Sequence, residues 1–532
     1  MAVPLSVLAS RLDILELKGG TDVGIEGLAY DSRAVGPGFL FFALPGLHDD
    51  GERWIPAAIA AGAVAIVHRN PVATPHPGVA YLRVAEPRAA MSPAADAFHA
   101  SPSRALAVIG VTGTEGKSTT VYLIWQLLNL AGRRAGFFST VMTDTGSGEL
   151  PNPEHQTTPE ATAVQRMLAS MRDAGMEFAI VEASSHGLSP RTSRLADVAF
   201  DVGVFMNVRH EHLEFHGSWE QYRDDKAKLF RALDAEVHRK AGTWGSREVP
   251  SFGVVCADDP SAPYFAAATG RKTYGFSSKG GRADCSAHSI RSDEGGSSFV
   301  LECPEGSFDA RIELPGAFNV DNVLAALATV SKVAGISMAD LIPLLPRLRP
   351  VRGRMTAIKA GQPFEVIVDY AHTPSSFEAI FPPLRERARG RIISLFGSAG
   401  ERDRVKRPQQ GAIAARFSDI VILSDEDPRG EDPMALLEEI AAGCQAAGER
   451  EGAEPGRPSP ATRRGEGLFL IPDRRAAIRR AFGLARKGDI VLLLGKGHEN
   501  SIIYRDGAIA WDEIAEARMA LAELGFAAAK NA

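Results

Sequence analysis

The chain has 532 residues, 59 Lys plus Arg against 65 Asp plus Glu, and a formal net charge of −6. Apolar residues make up 45% and charged residues 23%, the usage of an ordinary globular protein. At ~100–200 residues per domain that length fits three or four domains. The balance excludes a disordered chain, a collagen, a small disulfide scaffold and a protein built to coat nucleic acid.

Residues 1–103 carry the apolar runs 39–43 and 63–67, with a helical stretch over 55–61 between them. Ser101-Pro102-Ser103 reads as a linker. Arg11 and Asp13 interrupt the first apolar stretch, which argues against a signal peptide, and no segment reaches the ~18 apolar residues that span a membrane. A cytoplasmic chain without membrane insertion is expected. Cys256, Cys285, Cys303 and Cys444 form no C-x-x-C pair and fit no zinc spacing, so they read as small buried hydrophobes.

Residues 104–348 open with an apolar strand over 105–111, a Gly/Thr-rich loop and a helical run over 119–130, with Gly132 as its C-terminal cap. Buried-strand candidates follow at 178–182 and 202–206. Residues 349–532 repeat the alternation, with apolar runs at 366–368, 392–396, 420–423 and 490–494. Strands alternating with helices predict an α/β protein with parallel sheets covered on both faces. The Gly-, Pro- and charge-rich stretch 448–467 reads as a flexible surface insertion.

The first chemical signal is Gly110-Val-Thr-Gly113-Thr114-Glu115-Gly116-Lys117-Ser118-Thr119, placed between strand and helix. Glycines let backbone amides approach phosphates, a Lys neutralises their oxygens, and a Ser hydroxyl can ligate Mg²⁺. The strict G-x-x-x-x-G-K-[ST] spacing is not met, because the residue five before Gly116 is Val111. A variant loop for ATP or GTP is therefore expected. Glu182, ending an apolar strand, is suitably placed to hold Mg²⁺. Read from the residues alone, His212 is a structural histidine, and Lys226 and Lys228 are two solvated helix lysines.

This loop resembles the G-T-N-G-K-[ST] loop of the Mur ligase family. Further resemblances follow in order: His155-Gln-Thr157-Thr158-Pro, Glu182-Ala-Ser184-Ser-His-Gly-Leu, Asn207-Val-Arg-His-Glu-His212-Leu, Tyr222-x-x-x-Lys226, Asn319-Val-Asp-Asn322, Gly353-Arg354, Asp369-Tyr-Ala-His372, Asp427-Pro428-Arg429 and Gly495-Lys-Gly-His-Glu499. They run from about Asp31-Ser32-Arg33 to about Glu499.

The resemblance implies three domains: a small N-terminal α/β domain for the UDP substrate, a central ATP-binding P-loop-type domain, and a Rossmann-like C-terminal domain for the amino acid. It implies an ATP- and Mg²⁺-dependent ligase that joins a free diamino acid to UDP-N-acetylmuramoyl-L-alanyl-D-glutamate through an acyl phosphate. Such an enzyme serves peptidoglycan precursor synthesis as a monomer. By the same resemblance, Ser118, Glu182, His212 and a carbamylated Lys226 hold metal, although imidazole is no preferred ligand of hard Mg²⁺.

Gly113 to Thr119, Asn322, Arg354, Asp369 and His372 would bind ATP between domains. Ser32 and the Leu47-His48-Asp49 loop, Thr157, Thr158, Ser184 and either Arg191 or Arg194 would bind the acceptor. Arg402, Asp427, Pro428, Arg429, Gly495 and Glu499 would bind the amino acid. Arg429 suits the distal carboxylate of meso-diaminopimelate. Asp427, with Glu426 and Glu499, suits the cationic tail of L-lysine or L-ornithine. Two rival readings are another amide ligase of the superfamily, of folylpolyglutamate or cyanophycin type, and a P-loop ATPase switch that needs no acceptor.

Overall fold

The computed structural model describes residues 2–46, 50–154, 156–209, 213–235, 238–293, 295–314, 316–451 and 460–526. The 47–49 loop, His155 and His212 lie outside the described residues. The chain forms two compact units. One comprises 1–290, 298–311 and 319–348, and the other 291–297, 312–318 and 349–532.

In the first unit, β1 (Ile14–Lys18), β2 (Gly27–Ala29), β3 (Phe39–Phe42), β4 (Ala63–His68) and β5 (Ala80–Val84) form a sheet of order β1-β5-β4-β3-β2, parallel except for β1. Helix α1 (Ile55–Ala60) joins β3 to β4, and α2 (Pro87–Phe98) follows the sheet. Leu40, Phe42, Ala65, Val67 and Leu82 pack one face against Met91 and Ala94 of α2. Ser101–Ser103 is no free linker. Pro102 and Ser103 are buried in a 3₁₀ turn, and the buried Lys240 ammonium donates to the Ser103 carbonyl at 3.0 Å and to Asp201 at 3.1 Å.

The larger sheet of this unit is built from β6 (Ala107–Thr112), β7 (Ala135–Phe138), β8 (Phe178–Glu182), β9 (Val202–Phe205), β10 (Phe252–Cys256) and β11 (Thr273–Ser277). These run parallel in the order β7-β8-β6-β9-β10-β11, with antiparallel strands at the β7 edge. All six residues of β6 and all five of β8 are buried. That is why both read as unbroken apolar runs rather than alternating ones. Helix α3 (Lys117–Leu130) packs on β7 and β8. It ends in a Schellman motif: Gly132 has φ +77°, its amide donates to Asn129 at 3.0 Å, and the Arg133 amide donates to Leu128 at 2.8 Å. The helices used below are α4 (Ala161–Asp173), α5 (Ser185–Leu188), α6 (Leu213–His216), α7 (Trp219–Ala232) and α8 (Ala317–Ala334).

The second unit is a sheet of β12 (Glu365–Asp369), β13 (Ile392–Phe396), β14 (Ile420–Leu423), β15 (Leu468–Leu470) and β16 (Ile490–Leu494). It is parallel in the order β12-β16-β13-β14-β15, with Thr356–Ala357 antiparallel at the edge. Helices α9 (Pro374–Arg387), α10 (Lys406–Phe417) and α11 (Pro433–Glu451) cover one face, and α12 (Arg474–Leu484) and α13 (Glu513–Glu523) the other. Helix α11 runs on to Glu451, and Ala461 is fully buried in the core beneath it. The stretch expected to be a surface insertion from 448 to 467 is therefore structured at both ends.

Cys256, Cys285 and Cys444 are buried free thiols, each pushed up to about 12 by burial. Among the described residues no helix is long and apolar enough to cross a membrane.

Candidate active site

Strand β6 delivers the chain into the loop 113–116, and α3 leaves it. Gly116 is the N-cap, at φ +82°, with no side-chain cap on the helix amides. A Cβ there would stand 2.5 Å from the Asn322 Oδ1, so the loop closes onto α8 only with glycine. The Thr120 hydroxyl donates to that same Oδ1 at 3.2 Å, and Asn322 donates to Asn319 at 3.2 Å. Asn207, just past β9, fixes the loop from the other side. Its carbonyl accepts from Thr114 and its Oδ1 from Glu115, both at 2.9 Å. The first-turn amides of α3 and the Lys117 ammonium (2.8 Å from the Thr114 carbonyl) thus face the mouth of the loop, an arrangement suited to phosphate.

Glu182 ends β8 beside this helix and is 1% exposed. Its carboxylate accepts from the Ser118 hydroxyl at 2.9 Å, the Thr140 amide at 2.8 Å and the Thr140 hydroxyl at 3.0 Å. A carboxylate and a hydroxyl in contact are hard oxygen donors, which fits Mg²⁺. No group of three or more His, Cys, Asp or Glu able to hold a metal occurs among the described residues.

Lys226 is 1% exposed and donates to the Gly113 carbonyl at 2.6 Å, with its ammonium 4.4 Å from the Tyr222 ring centroid. It is not the solvated helix lysine that its sequence surroundings predict. Lys228 is closer to that description and pairs with Asp224 and Asp225. The difference is which face of α7 each occupies. Tyr222, Asp225 and Lys226 share the inner face, and the Tyr222 hydroxyl lies 3.1 Å from Thr114 Oγ1. Burial pushes the Asp225 carboxyl up, but bonds from His216 and Lys228 outweigh it and hold it down at about 2.

The sequence-predicted acceptor residues fall beside β8. The Thr158 hydroxyl donates to the Glu182 carbonyl at 2.8 Å and lies 2.8 Å from Ser184 Oγ. Ser184 caps α5 through the Gly187 amide at 3.1 Å. Thr157 is half-buried next to them. The two candidate arginines are separated by their surroundings. Arg194 is committed internally, to Glu160 at 2.9 Å and the Thr158 carbonyl at 3.0 Å. Arg191 is exposed, bonds the Phe215 carbonyl and lies over the Phe215 ring at 5.6 Å. Ser32 opens a 3₁₀ turn capped by Asp31, which accepts from the Arg33 amide at 2.9 Å.

The second unit gathers its own motifs at the C-terminal ends of its strands, where open α/β sheets bind ligands. Asp369, ending β12, accepts from the Met355 amide at 2.6 Å and the Ala371 amide at 2.7 Å. Burial raises its carboxyl and Arg354 opposes the rise. Tyr370 is the hub. The Arg354 guanidinium lies 4.6 Å from its ring centroid, the His372 and His498 rings at 4.6 and 4.7 Å, and its hydroxyl donates to Glu499 at 3.2 Å. A Cβ on Gly353, at φ +71°, would stand 2.4 Å from the Gly497–His498 backbone, so Gly353 lets these two loops touch. Burial and the nearby Arg354 and Lys496 hold His498 well below 6.5, hence neutral at pH 7.

Next to this hub, Lys496 is fully buried and binds Asp427 at 2.9 Å and Glu499 at 2.5 Å. The Ile503 amide takes the same Asp427 oxygen at 2.9 Å. Asp427 is thus already neutralised. Glu426 is buried with its Oε2 unpartnered, and a Cβ on Gly495 would lie 2.8 Å from that oxygen. Burial raises the Glu426 carboxyl, opposed by Lys406 and Lys496. Pro428 is buried, Arg429 sits at φ +56° with its Nε unpartnered, and Arg402 is exposed.

Three family models match successive stretches: the Mur ligase family catalytic domain over 24–101, the Mur ligase middle domain over 111–330, and the Mur ligase glutamate ligase domain over 353–497. The chain is 50% identical to a UDP-N-acetylmuramyl-tripeptide synthetase of Treponema pallidum (strain Nichols), covering 97% of this chain and 96% of the relative. The chain belongs to the Mur ligase family. It is also 38% identical to the UDP-N-acetylmuramoyl-L-alanyl-D-glutamate–2,6-diaminopimelate ligase of Geobacillus thermodenitrificans (strain NG80-2), over 98% of this chain and 99% of the relative. A solved ligase of that diaminopimelate-adding type superposes at TM-score 0.62 with 28% identity, over 99% of this chain and 100% of the other. The fold is shared with a MurF ligase of Thermotoga maritima in complex with ADP, at TM-score 0.59 and 19% identity, covering 93% of this chain and 97% of that one. Mur ligases are ATP-dependent amide ligases, and so is this chain.

Within this Mur ligase, Gly113 to Thr119, Glu182, Lys226 and Asn322 come together in the first unit, whereas Arg354, Asp369 and His372 come together in the second. Thr140, Tyr222, Tyr370, Lys406 and Lys496 also touch these groups and were not among the candidate site residues. Tyr222, Tyr370 and Lys496 stand inside motifs quoted above, and Lys406 lies four residues past Arg402. Thr140 lies in a turn with no motif to mark it.

Asp425, between β14 and Glu426, gives a separate prediction. Burial pushes its carboxyl up from 3.8 to about 6 against the Tyr504 hydrogen bond. A raised carboxyl favours the protonated fold, so its contribution is present below about 4 and lost as pH rises through about 6. Asp425→Asn should then stabilise the protein at pH 8 by on the order of 2 kcal/mol, and by progressively less toward pH 4. Unfolding midpoints across that range test it, and a difference independent of pH would contradict it.

Proposed function

We propose that the chain joins a diamino acid to UDP-N-acetylmuramoyl-L-alanyl-D-glutamate in the cytoplasm, as a peptidoglycan precursor ligase of three domains near 1–103, 104–348 and 349–532. The supporting observation is the cluster around the phosphate loop: the Ser118–Glu182 pair, the uncapped α3 amides and Lys226 seated on the Gly113 carbonyl.

The chemistry must bring two anions together, the γ-phosphate of ATP and the acceptor carboxylate. Lys117 and the α3 amides hold the phosphates. Ser118 and Glu182 would hold Mg²⁺, with His212 and a carbamylated Lys226 as further ligands, and the ion would supply charge neutralisation at the phosphoryl group. Asn322 supports the loop from the nucleotide side, and Arg354, Asp369 and His372 of the second unit are the further ATP-binding residues that the family resemblance implies. Ser32, Thr157, Thr158, Ser184 and Arg191 orient the acceptor, while Arg194 holds their frame. The acyl phosphate formed on the acceptor is then attacked by the amine of the amino acid.

For the amino acid we infer that Glu426 receives the distal ammonium, because its Oε2 is unpartnered whereas Asp427 and Glu499 are both paired with Lys496. Arg402, Pro428 and Gly495 frame that site. A distal ammonium is common to L-lysine, L-ornithine and meso-diaminopimelate. Arg429, with its unpartnered Nε, favours the last, which alone carries a distal carboxylate.

The test is a ligation assay with ATP, Mg²⁺ and the UDP-linked dipeptide, each amino acid offered separately and products weighed. Ligation of one amino acid is expected. Lys226→Ala should abolish it, with rescue by short carboxylic acids. Turnover of ATP that ignores acceptor and amino acid would point to an ATPase switch instead.

A further inference from the structure

His216 ends α6, sequence-adjacent to the helix that carries Lys226, and has no part in the reaction described above. Its Nδ1 lies 2.8 Å from Asp225 Oδ2 and its Nε2 3.1 Å from Ser185 Oγ. A carboxylate only accepts, so Nδ1 carries a hydrogen toward Asp225, and Nε2 shares the second bond with the Ser185 hydroxyl. This is the connectivity of a Ser-His-Asp triad. Both the serine and the histidine are buried, however, at 2% and 5% exposure, and their bonds run between two helices of the protein. The arrangement therefore works on the protein itself.

What it connects is specific. Ser185 follows Ser184, the cap of α5 that touches Thr158. Asp225 precedes Lys226 on α7, and its other oxygen takes Gln221 at 3.1 Å and Lys228. Because Tyr222, Asp225 and Lys226 share one face of α7, holding Asp225 sets the rotation of that face. Lys226 then meets the Gly113 carbonyl, and Tyr222 meets Thr114. Without the imidazole, Lys228 is the remaining cation on Asp225, on the more open side of the helix.

We propose that His216 is a positioning residue of the ligation: by tying Asp225 to Ser185 it fixes where Lys226 stands beneath the phosphate loop relative to the acceptor-side helix. The proposal rests on the reading of Lys226 as part of the ligation machinery.

The experiment compares His216→Asn with His216→Gln. The Asn amide stands near Nδ1 and keeps the donation to Asp225; the longer Gln amide reaches toward Ser185. ATP, acceptor and amino acid are varied in turn. His216→Gln should lose about 100-fold in kcat, the effect of a misplacement of about 1 Å, with each KM within about 3-fold. His216→Asn, which gives up only the Ser185 bond, should lose about 10-fold in kcat, at a similar unfolding midpoint.

Equal losses in the two variants, or losses that track their midpoints, would overturn the proposal, since a merely structural histidine gives that pattern. Should His216→Gln not fold, Ser185→Ala takes its place. It should lower kcat about 10-fold with KM for ATP unchanged, and unaltered kcat would overturn the proposal. Lys226→Ala is assayed alongside. If it is inactive while His216→Gln stays active, this inference alone falls. If Lys226→Ala is active, the reading of Lys226 falls and the inference with it.

Discussion

Glu182→Gln is expected to lower kcat for ligation by about 10²–10³-fold, the range seen when one preorganised electrostatic group is removed. The amide oxygen still accepts from Ser118 and Thr140, so the turn after β7 keeps its anchor and the unfolding midpoint stays within a few degrees. What disappears is the negative charge that favours a divalent ion beside the phosphate loop. The measurement is steady-state ligation over a range of Mg²⁺ concentrations. Half or more of the wild-type kcat at ordinary Mg²⁺ would remove Glu182 from the metal site.

The second large effect is on stability. Arg474 and Glu513 are fully buried, paired at 2.7 Å, and Trp511 also donates to Glu513 at 2.6 Å. The Arg474 guanidinium further donates to the Asp425 carbonyl at 3.1 Å and the Leu494 carbonyl at 2.7 Å, tying together the strand ends that lead to Glu426 and Gly495. Arg474→Met should cost about 3–5 kcal/mol, because it leaves a buried carboxylate without its cation and two carbonyls without their donor. Adding Glu513→Gln should restore a large part of that loss, since the neutral side chain no longer strands a charge. Urea unfolding of the single and double variants measures both. A cost under about 1 kcal/mol for Arg474→Met would mean that the pair is not closed in solution.

Much of the architecture was legible in the chain itself. Phe178–Glu182, Ile392–Phe396, Ile420–Leu423 and Ile490–Leu494 are strands with the same limits as the apolar runs. A parallel strand buried on both faces has no polar alternation to blur its ends. Helix α3 begins two residues before its predicted start, at Lys117, because the phosphate loop itself forms its cap. The Ser101–Ser103 turn and the 460–467 stretch were misread for one reason: Pro, Gly and Ser mark a change of direction, and direction says nothing about burial.

The sequence by itself determined the order of strands and helices, the phosphate loop between β6 and α3, and the motifs that identify a Mur ligase. These are local signals, carried by residues a few positions apart. Only the tertiary structure decided which charges are committed. Lys226 faces inward and Lys228 outward, two positions apart on one helix. Arg194 is held by Glu160, 34 residues away, while Arg191 is left exposed. Asp427 is paired with Lys496, 69 residues away, whereas the neighbouring Asp425 and Glu426 each keep a buried oxygen without a partner. Such pairs form between loops and element ends brought together by the fold, and no periodicity along the chain records them.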